Sequence, residues 1–234
     1  MQDEIEIGDL RIRVTRKDVR NVHLTVHPPD GRVTLVAPHG TDLGAARAYA
    51  ITRLGWIRKQ QIQLRGQARE SARQFVGRET HFLWGRRHLL RVSVADAKPE
   101  VRLDHRTIHL RVRPGTATEV RARIMHEWHL RLLHEAVPTL IARWEAPLGV
   151  RVEGYFLQRM KTRWGSCNPN NHTIRLNTEL VKKPRDLLEY VIVHEMIHIL
   201  EPTHSPAFFE MLSRHYPGWS DARHELNALP IPQI

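Results

Sequence analysis

The segment VIVHEMIH, residues 191–198, decides how this chain is interpreted. It places His194 and His198 four residues apart, so on a helix the two imidazoles lie on one face and can bind the same cation. Glu195 lies beside that face, where its carboxylate can act on a water molecule without becoming a ligand. Because a catalytic zinc site uses three protein ligands and one open position, His204 is the predicted third ligand. The motif predicts a zinc hydrolase.

The surroundings of the motif favour a buried helix. Residues 187–200 are apolar on nearly every side, which is typical of a helix inside a protein core. Two histidines and a glutamate in such a place need compensation, and a divalent cation provides it. Pro184 and Pro202 predict the two ends of this helix. Ser205 predicts the N-cap of a following helix that ends near residue 215.

Other residues compete for the metal. Glu201 or Glu210 could replace the third histidine and give a His-His-Glu zinc site. The metzincin subclass is disfavoured, because Glu201 and Pro202 occupy the region where that subclass has a glycine. Cys167 could be a ligand or a nucleophile, but a lone cysteine is more often a buried structural thiol. A single cysteine also excludes an internal disulfide and fits a reducing compartment.

The positive charge is unevenly distributed along the chain. The formal net charge is +11, and residues 1–115 contribute +10 of it through 22 Lys and Arg against 12 Asp and Glu. Clustered arginines can neutralise phosphates, so nucleic acid is one candidate partner of the N-terminal half. No nucleic-acid-binding motif accompanies the charge, and 30 Arg against 6 Lys also fits an arginine-biased solvated surface. We favour the second interpretation.

The apolar pattern predicts a mixed α+β fold. Alternating apolar residues predict strands in residues 4–15, 22–26 and 33–37, with a turn at the segment PPDG, residues 28–31. Thr41 or Asp42 is the expected cap of one long helix that ends near residue 66. Three or four further strands fit residues 75–113.

The segment VRPGT, residues 112–116, resembles VAPHGT, residues 36–41, because each closes a hairpin and opens a helix. The likeness suggests either an internal duplication or a shared way of ending a strand and capping a helix. We therefore divide the chain into a basic, β-rich N-terminal region with one long helix, residues 1–115, and a catalytic region, residues 116–234.

A long helix is predicted at residues 116–146, where Pro138 should kink or divide it. His126, His129 and His134 lie on this helix. They do not share one face, so we expect surface histidines or histidines satisfied by hydrogen bonds rather than a second metal site.

Residues 150–161 and 172–178 are predicted strands joined by a loop of turn-forming residues. We expect the strand at residues 172–178 to be the edge strand that pairs with an extended substrate. Arg163 and Trp164 could line the cleft beside this strand. Alternatively, the Trp164 side chain could pack the loop against the core.

The chain resembles the YgjP-like metallopeptidases, which are zincins related to the WLM and SprT-like groups. The resemblance extends over the whole chain and is carried by the segments KDVRN (17–21), PPDGR (28–32), MKTRWGSC (160–167), IRLN (174–177), EYVIVHE (189–195), HS (204–205) and PGW (217–219). It implies a minimal zincin-like core with an HExxH active-site helix. It also implies zinc on His194, His198 and His204, with Glu195 as the catalytic base.

The predicted function is a zinc-dependent metallopeptidase that acts on polypeptides. One alternative is a metal-dependent nucleotide pyrophosphatase, an activity also attached to the family. Another is a DNA-associated protease or nucleic-acid-binding module. Tyr216, His215 and Arg163 are candidate donors for the oxyanion that forms during hydrolysis. No apolar run approaches the roughly 18 residues of a membrane span, and residues 1–6 lack the apolar core of an export signal. The predicted location is therefore cytoplasmic.

Overall fold

The structure is a computed structural model that describes residues 2–27, 31–66, 73–160 and 163–228. Within these residues the chain forms six α-helices, one 3₁₀-helix and three β-sheets, which confirms a mixed α+β fold. The chain divides into two units. We call Met1–Glu70 the N-terminal unit and Ser71–Leu229 the C-terminal unit.

The N-terminal unit is a four-stranded sheet followed by two helices. Its elements are β1 (Gln2–Ile7), β2 (Leu10–Lys17), β3 (His23–His27), β4 (Arg32–Pro38), α1 (Leu43–Thr52) and α2 (Leu54–Gly66). The turn between β1 and β2 forms at Gly8, whose φ of +61° suits a residue without a Cβ atom. Residues 28–30 of the turn predicted at 28–31 lie outside the described residues.

The predicted long helix is two helices. Asp42 caps α1 as expected, because its side chain accepts a hydrogen bond from the backbone N–H of Ala45 at 2.7 Å. Arg53 then ends α1, and α2 begins at Leu54. Ala46 and Ala50 of α1 are buried in the same core as the sheet residues Ile12 and Leu35. The sheet and its first helix therefore form one hydrophobic core.

A second four-stranded sheet opens the C-terminal unit and repeats the topology of the first. It comprises β5 (Thr80–Leu83), β6 (Arg86–Val94), β7 (Glu100–Asp104) and β8 (Thr107–Val112). The strand order is β1-β2-β4-β3 in the first sheet and β5-β6-β8-β7 in the second. In both, the two central strands are parallel and the outer pairs are antiparallel. This agreement favours the internal duplication over a coincidence of local signals.

The rest of the C-terminal unit contains a long helix, a three-stranded sheet and three shorter helices. The elements are α3 (Thr118–Leu148), β9 (Gly154–Gln158), β10 (Gly165–Asn168), β11 (Thr173–Asn177), a 3₁₀-helix (Thr178–Lys182), α4 (Arg185–Ile197), α5 (Pro206–His215) and α6 (Trp219–Ala228). Pro138 does not divide α3, which continues to a left-handed Gly149.

The third sheet has the order β10-β11-β9. β11 is antiparallel to β10 and parallel to β9, so both of its sides are paired. The strand predicted as the edge strand, residues 172–178, is therefore the central one, and the edges are β10 and β9. The sequence pattern did not show this, because the neighbours of a strand depend on contacts that are distant in the chain.

The two compact units meet at residues 70/71, whereas the division suggested by the sequence, into a basic region and a catalytic region, falls at residues 115/116. The second sheet shares one continuous core with the helices that follow it. Leu90 and Ile108 of the sheet, Leu133 of α3 and Ile192 of α4 are all fully buried in that core. Dividing the chain after β8 would expose the apolar face of the sheet to water, which is unfavourable in proportion to the area exposed.

His134 and His129, which both lie on α3, differ in their exposure to solvent. His134 is exposed, and one of its ring nitrogens lies 2.8 Å from the Tyr155 hydroxyl, as expected of a surface histidine. His129 is only 7% exposed, and within the described residues its Nε2 atom has no hydrogen-bond partner. Burial lowers the pKa of His129 to about 3, and Lys182, His81 and His126 act in the same direction. The fold therefore holds His129 neutral.

This predicts a loss of stability in acid that depends on His129. An unfolded histidine has a pKa of about 6.5, so protonation favours the unfolded chain. The free energy of unfolding of the C-terminal unit should lose about 1.4 kcal/mol for each pH unit between about 6.5 and 3 through this residue. His129→Leu should remove that part of the slope. Denaturant titrations followed by tryptophan fluorescence measure it, since Trp56 is the only tryptophan outside the C-terminal unit.

His105→Asn is the control, because His105 is an exposed turn residue of the same unit. It should leave the pH slope as it is in the parent protein. Equal slopes in the parent and in His129→Leu would contradict the prediction.

Candidate metal centre

The three predicted ligands lie at a helix end and in the turn that follows it. His194 is in the last turn of α4, and His198 is the residue that ends this helix. His204 directly precedes Ser205, the predicted N-cap of α5, whose hydroxyl accepts a hydrogen bond from the backbone N–H of Phe208 at 3.2 Å. The chain therefore turns back between two helices, and this turn returns His204 to the face of α4 that carries the other two histidines.

The ring nitrogens of the three histidines converge. One nitrogen from each ring lies within 4.8 Å of the others, and the Nε2 atoms of His194 and His204 are 3.0 Å apart. Nitrogen atoms bound to a tetrahedral zinc ion, at about 2.0–2.1 Å each, lie about 3.3 Å from one another. The nitrogens of His194 and His204 thus already have nearly the spacing that one zinc ion requires, and a nitrogen of His198 lies within 4.8 Å of both.

The neighbours of the cluster orient its rings. A nitrogen of His198, Nδ1, lies 2.9 Å from the backbone carbonyl of Glu201. If Nδ1 carries the proton and donates it to this carbonyl oxygen, the Nε2 atom of His198 is unprotonated and can bind a metal. The carboxylate of Glu201 instead accepts from the Thr203 hydroxyl at 2.7 Å, and Glu210 pairs with Arg214 at 3.4 Å. Neither glutamate considered as an alternative third ligand joins the cluster.

Phe208 packs against all three rings. Its centroid is 4.9 Å from that of His194, 4.5 Å from that of His198 and 4.8 Å from that of His204. Its side chain is fully buried, so it forms an apolar support behind the imidazoles. The sequence alone does not indicate this role of Phe208, because an apolar residue in the first turn of a helix is common in protein cores.

The electrostatic setting suits neutral ligands. Burial, with smaller effects from the neighbouring His198, His204 and Arg223, lowers the pKa of His194 to about 3. A metal binds the neutral imidazole, so this environment keeps the ring in its ligand form. The Nδ1 atom of His194 is buried without a hydrogen-bond partner among the described residues.

Glu195 is buried against the backbone of β10. Its side chain is 6% exposed, and a Cβ atom placed on Gly165 would lie 2.5 Å from the Oε1 atom of Glu195. Only glycine therefore allows the strand to approach the carboxylate this closely. Burial raises the pKa of Glu195 to about 8, while the positive charge of Arg163 opposes the rise. A divalent cation at the histidines would oppose it further.

The histidines and Glu195 lie in a cleft of about 710 Å³ within the C-terminal unit. The chain segments that line it are residues 163–167 with Pro169, the α4 residues Tyr190, Val191, His194, Glu195 and His198, the turn residues Pro202 and His204, and the α6 residues Arg223, Leu226 and Asn227. Arg163 and Trp164 therefore both face the cleft, and the tryptophan ring is also contacted by the Lys183 ammonium group, 5.4 Å from its centroid.

Asn177 holds the segment that enters β10. Its side-chain N–H groups donate to the backbone carbonyls of Met160 and Arg163, both at 2.8 Å. Its own backbone N–H donates to the carbonyl of Trp164 at 2.8 Å. Asn177 is 3% exposed, so these bonds are shielded from water. The position of Arg163 is therefore tied to the core of the third sheet.

Two of the three oxyanion candidates point elsewhere. The Tyr216 hydroxyl donates to the backbone carbonyl of Asp186 at 3.1 Å, and neither Tyr216 nor His215 is among the residues that line the cleft. Arg163 is. Cys167 also lines the cleft, but burial and the nearby Glu195 raise the pKa of its thiol to about 11, so it is a poor nucleophile near neutral pH. It is not part of the histidine cluster.

Comparison with known protein families assigns the chain to the metallopeptidases. The sequence matches the family described as YgjP-like, metallopeptidase domain, over residues 20–229. The chain therefore belongs to the YgjP-like family, as the sequence motifs had indicated.

Solved structures with some likeness to the chain include two metallopeptidase zymogens. Abylysin of Pyrococcus abyssi is 19% identical, with a TM-score of 0.36, over 38% of this chain and 90% of its own. Jannalysin of Methanocaldococcus jannaschii is 22% identical, with a TM-score of 0.35, over 38% of this chain and 92% of its own. A comparison with curated proteins finds no match. Among the helices of the described residues, none has the length and apolar character of a membrane span.

The first prediction for this site concerns the third ligand. His204→Ala removes one of three converging nitrogens. Mutation of a residue that only orients a metal ligand lowers metal affinity roughly 10- to 100-fold, so loss of a ligand itself should lower zinc affinity by more than this. Metal analysis of the purified protein should show about one zinc per chain before the change and a substoichiometric amount after it. His215→Ala, a histidine outside the cleft, should keep the metal. An unchanged zinc content in His204→Ala would contradict the assignment and favour a glutamate.

The close approach of Gly165 to the Glu195 carboxylate can be tested by adding one methyl group. In Gly165→Ala the new methyl group overlaps the carboxylate of Glu195, so either the strand or the carboxylate must shift. A displacement of about 1 Å at a reacting group can lower the rate about 100-fold, and we expect a loss of that order in kcat/KM with the metal retained. Gly154→Ala in β9 is the matched control, because its Cβ atom would meet only Thr173 Cγ2, at 3.8 Å. Equal activities of the two variants would show that the contact is unimportant.

Proposed function

We propose that this protein is a zinc-dependent metallopeptidase with a zincin-like catalytic core in its C-terminal unit. The observation that carries the proposal is the convergence of three imidazoles beside a buried carboxylate in one open cleft. His194, His198 and His204 would hold the metal, and Glu195 would be the catalytic base. The family supports the metallopeptidase class, and the assignment of these residues is our own.

The donor set favours zinc among divalent metals. Three neutral imidazoles are nitrogen ligands of the kind that zinc accepts in its catalytic sites, whereas magnesium and calcium prefer oxygen ligands. When bound, zinc acts as a Lewis acid on a carbonyl group and makes water nucleophilic near neutral pH. Three protein ligands leave one position open for this chemistry.

Glu195 and Arg163 complete the proposed reaction. Glu195 is ionised when it accepts the proton of the attacking water, and it then transfers this proton to the nitrogen of the leaving amine. Its burial beside Gly165 restricts the carboxylate to one region of the cleft. The positive charge of Arg163 acts on the pKa of Glu195. We assign Arg163 to the oxyanion, because a positive charge beside the reacting carbonyl stabilises the transition state, in which the carbonyl oxygen becomes negative.

The substrate that fits the cleft is an extended polypeptide. β10 is an edge strand, its outer side is not paired with any described strand, and three of its residues line the cleft. An edge strand can bind an extended chain through its free backbone N–H and C=O groups. We therefore place the substrate backbone along β10, whereas the sequence had suggested the neighbouring strand.

The alternatives receive less support. The comparisons do not support nucleic-acid binding, and the basic N-terminal half remains best explained by a solvated surface. No observation of the described residues favours a nucleotide pyrophosphatase over a peptidase. A cytoplasmic location remains a prediction from the sequence.

The test of this function uses Glu195→Gln. The amide keeps the size of the side chain but cannot accept the proton, so hydrolysis should fall by about 10²- to 10⁴-fold, while the zinc content should stay near one per chain. An unfolded polypeptide and a nucleoside triphosphate should be offered side by side to the zinc-loaded protein. Cleavage of the polypeptide alone supports the peptidase. Hydrolysis of the triphosphate alone, or near-full turnover by Glu195→Gln, would refute the proposed function or the proposed base.

A further inference from the structure

The last helix, α6, forms one wall of the cleft. The sequence alone had assigned no chemistry to this segment. Trp219 anchors its first turn, because its indole N–H donates to the Ser213 hydroxyl of α5 at 2.9 Å. Ala222 and Leu226 are buried in the core that also contains α4. Arg223 therefore projects into the cleft from a helix that is fixed on two sides.

Arg223 and the proposed metal ligands share one cleft. The guanidinium-bearing side chain of Arg223 lines this cleft together with His194 and His204, and its helix neighbour Leu226 lines it as well.

This guanidinium has no negative partner within the described part of the chain. The ion pairs found there do not include Arg223. Glu195 is the only acidic residue among those that line the cleft, and it is buried under β10. An exposed arginine in the cleft, without a carboxylate partner among the described residues, is available for an anionic group of the substrate.

We propose that Arg223 binds a carboxylate of the substrate, so that the cleft selects polypeptides with a negative charge close to the cleaved bond. This proposal rests on the proposed peptidase function and defines its substrate class. Guanidinium and carboxylate groups form two parallel hydrogen bonds, and this geometry distinguishes arginine from lysine at such a site. Since Arg223 is exposed at the cleft rim, we expect a contribution of about tenfold rather than an absolute requirement.

The carboxylate can come from an acidic side chain or from the C-terminus of the peptide. Peptides of one parent sequence separate these sources. One set carries a single Asp or Glu at successive positions and ends in an amide. A second set has no acidic residue and ends either in a free carboxylate or in an amide. Whichever set is favoured identifies the group that Arg223 binds.

Binding is measured by fluorescence anisotropy with zinc-loaded Glu195→Gln protein, so that no peptide is consumed. The acidic peptide should bind about tenfold more tightly than its neutral counterpart, and salt should reduce this ratio. Arg223→Met should reduce the ratio to near one, and Arg223→Glu should reverse it in favour of basic peptides. Arg223→Lys should restore part of it, and Arg151→Met, an exposed arginine of the same unit outside the cleft, should not change it.

The same peptides are then offered to the active protein. A ratio of kcat/KM for acidic over neutral peptides that falls about tenfold in Arg223→Met supports the proposal. Cleavage of peptides with no charge preference, or a preference that survives in Arg223→Met and Arg223→Glu, would overturn it while leaving the peptidase function intact. Failure of the zinc-loaded parent protein to cleave any peptide would instead refute the peptidase function itself.

Discussion

The convergence of three imidazoles at the end of a buried helix is the constraint on which the rest of the structure depends. Each ring brings polar nitrogens into a region supported by Phe208, whose side chain is fully buried. Polar groups in such a place need partners, and Nδ1 of His194 has none among the described residues. A divalent ion would give the converging nitrogens of all three rings one shared partner. Binding of a metal would therefore stabilise this region.

A second constraint links Glu195, the proposed catalytic base, to β10, the strand proposed to bind the substrate. Glu195 lies directly against the backbone at Gly165, so the edge strand β10 and the carboxylate cannot move independently. A substrate paired with β10 would thus be held at a fixed distance from the base. This explains why the chain has a glycine at the start of a short strand, where that residue is otherwise unfavourable.

The two sheets of like topology have different surroundings. The second sheet supports the site, because the turn between β5 and β6 contacts the start of α4. A Cβ atom at Gly85 would lie 2.7 Å from Pro184, and the backbone N–H groups of Trp84 and Gly85 donate to carbonyls of Val181 and Lys182. The first sheet forms a separate core with its own helices. If the two arose by duplication, one copy has been incorporated into the core of the C-terminal unit.

The sequence by itself determined the local features of this protein: the helix that carries His194 and Glu195, the cap at Ser205, and the family. These depend on helical spacing and on backbone chemistry within a few residues, which a single segment contains. Only the tertiary structure decided that β10 is the edge strand, that the unit boundary precedes β5, that Phe208 packs behind the histidine rings, and that Arg223 lines the cleft. Such features depend on contacts between segments far apart in the chain, and hydrophobic periodicity does not specify which buried faces meet.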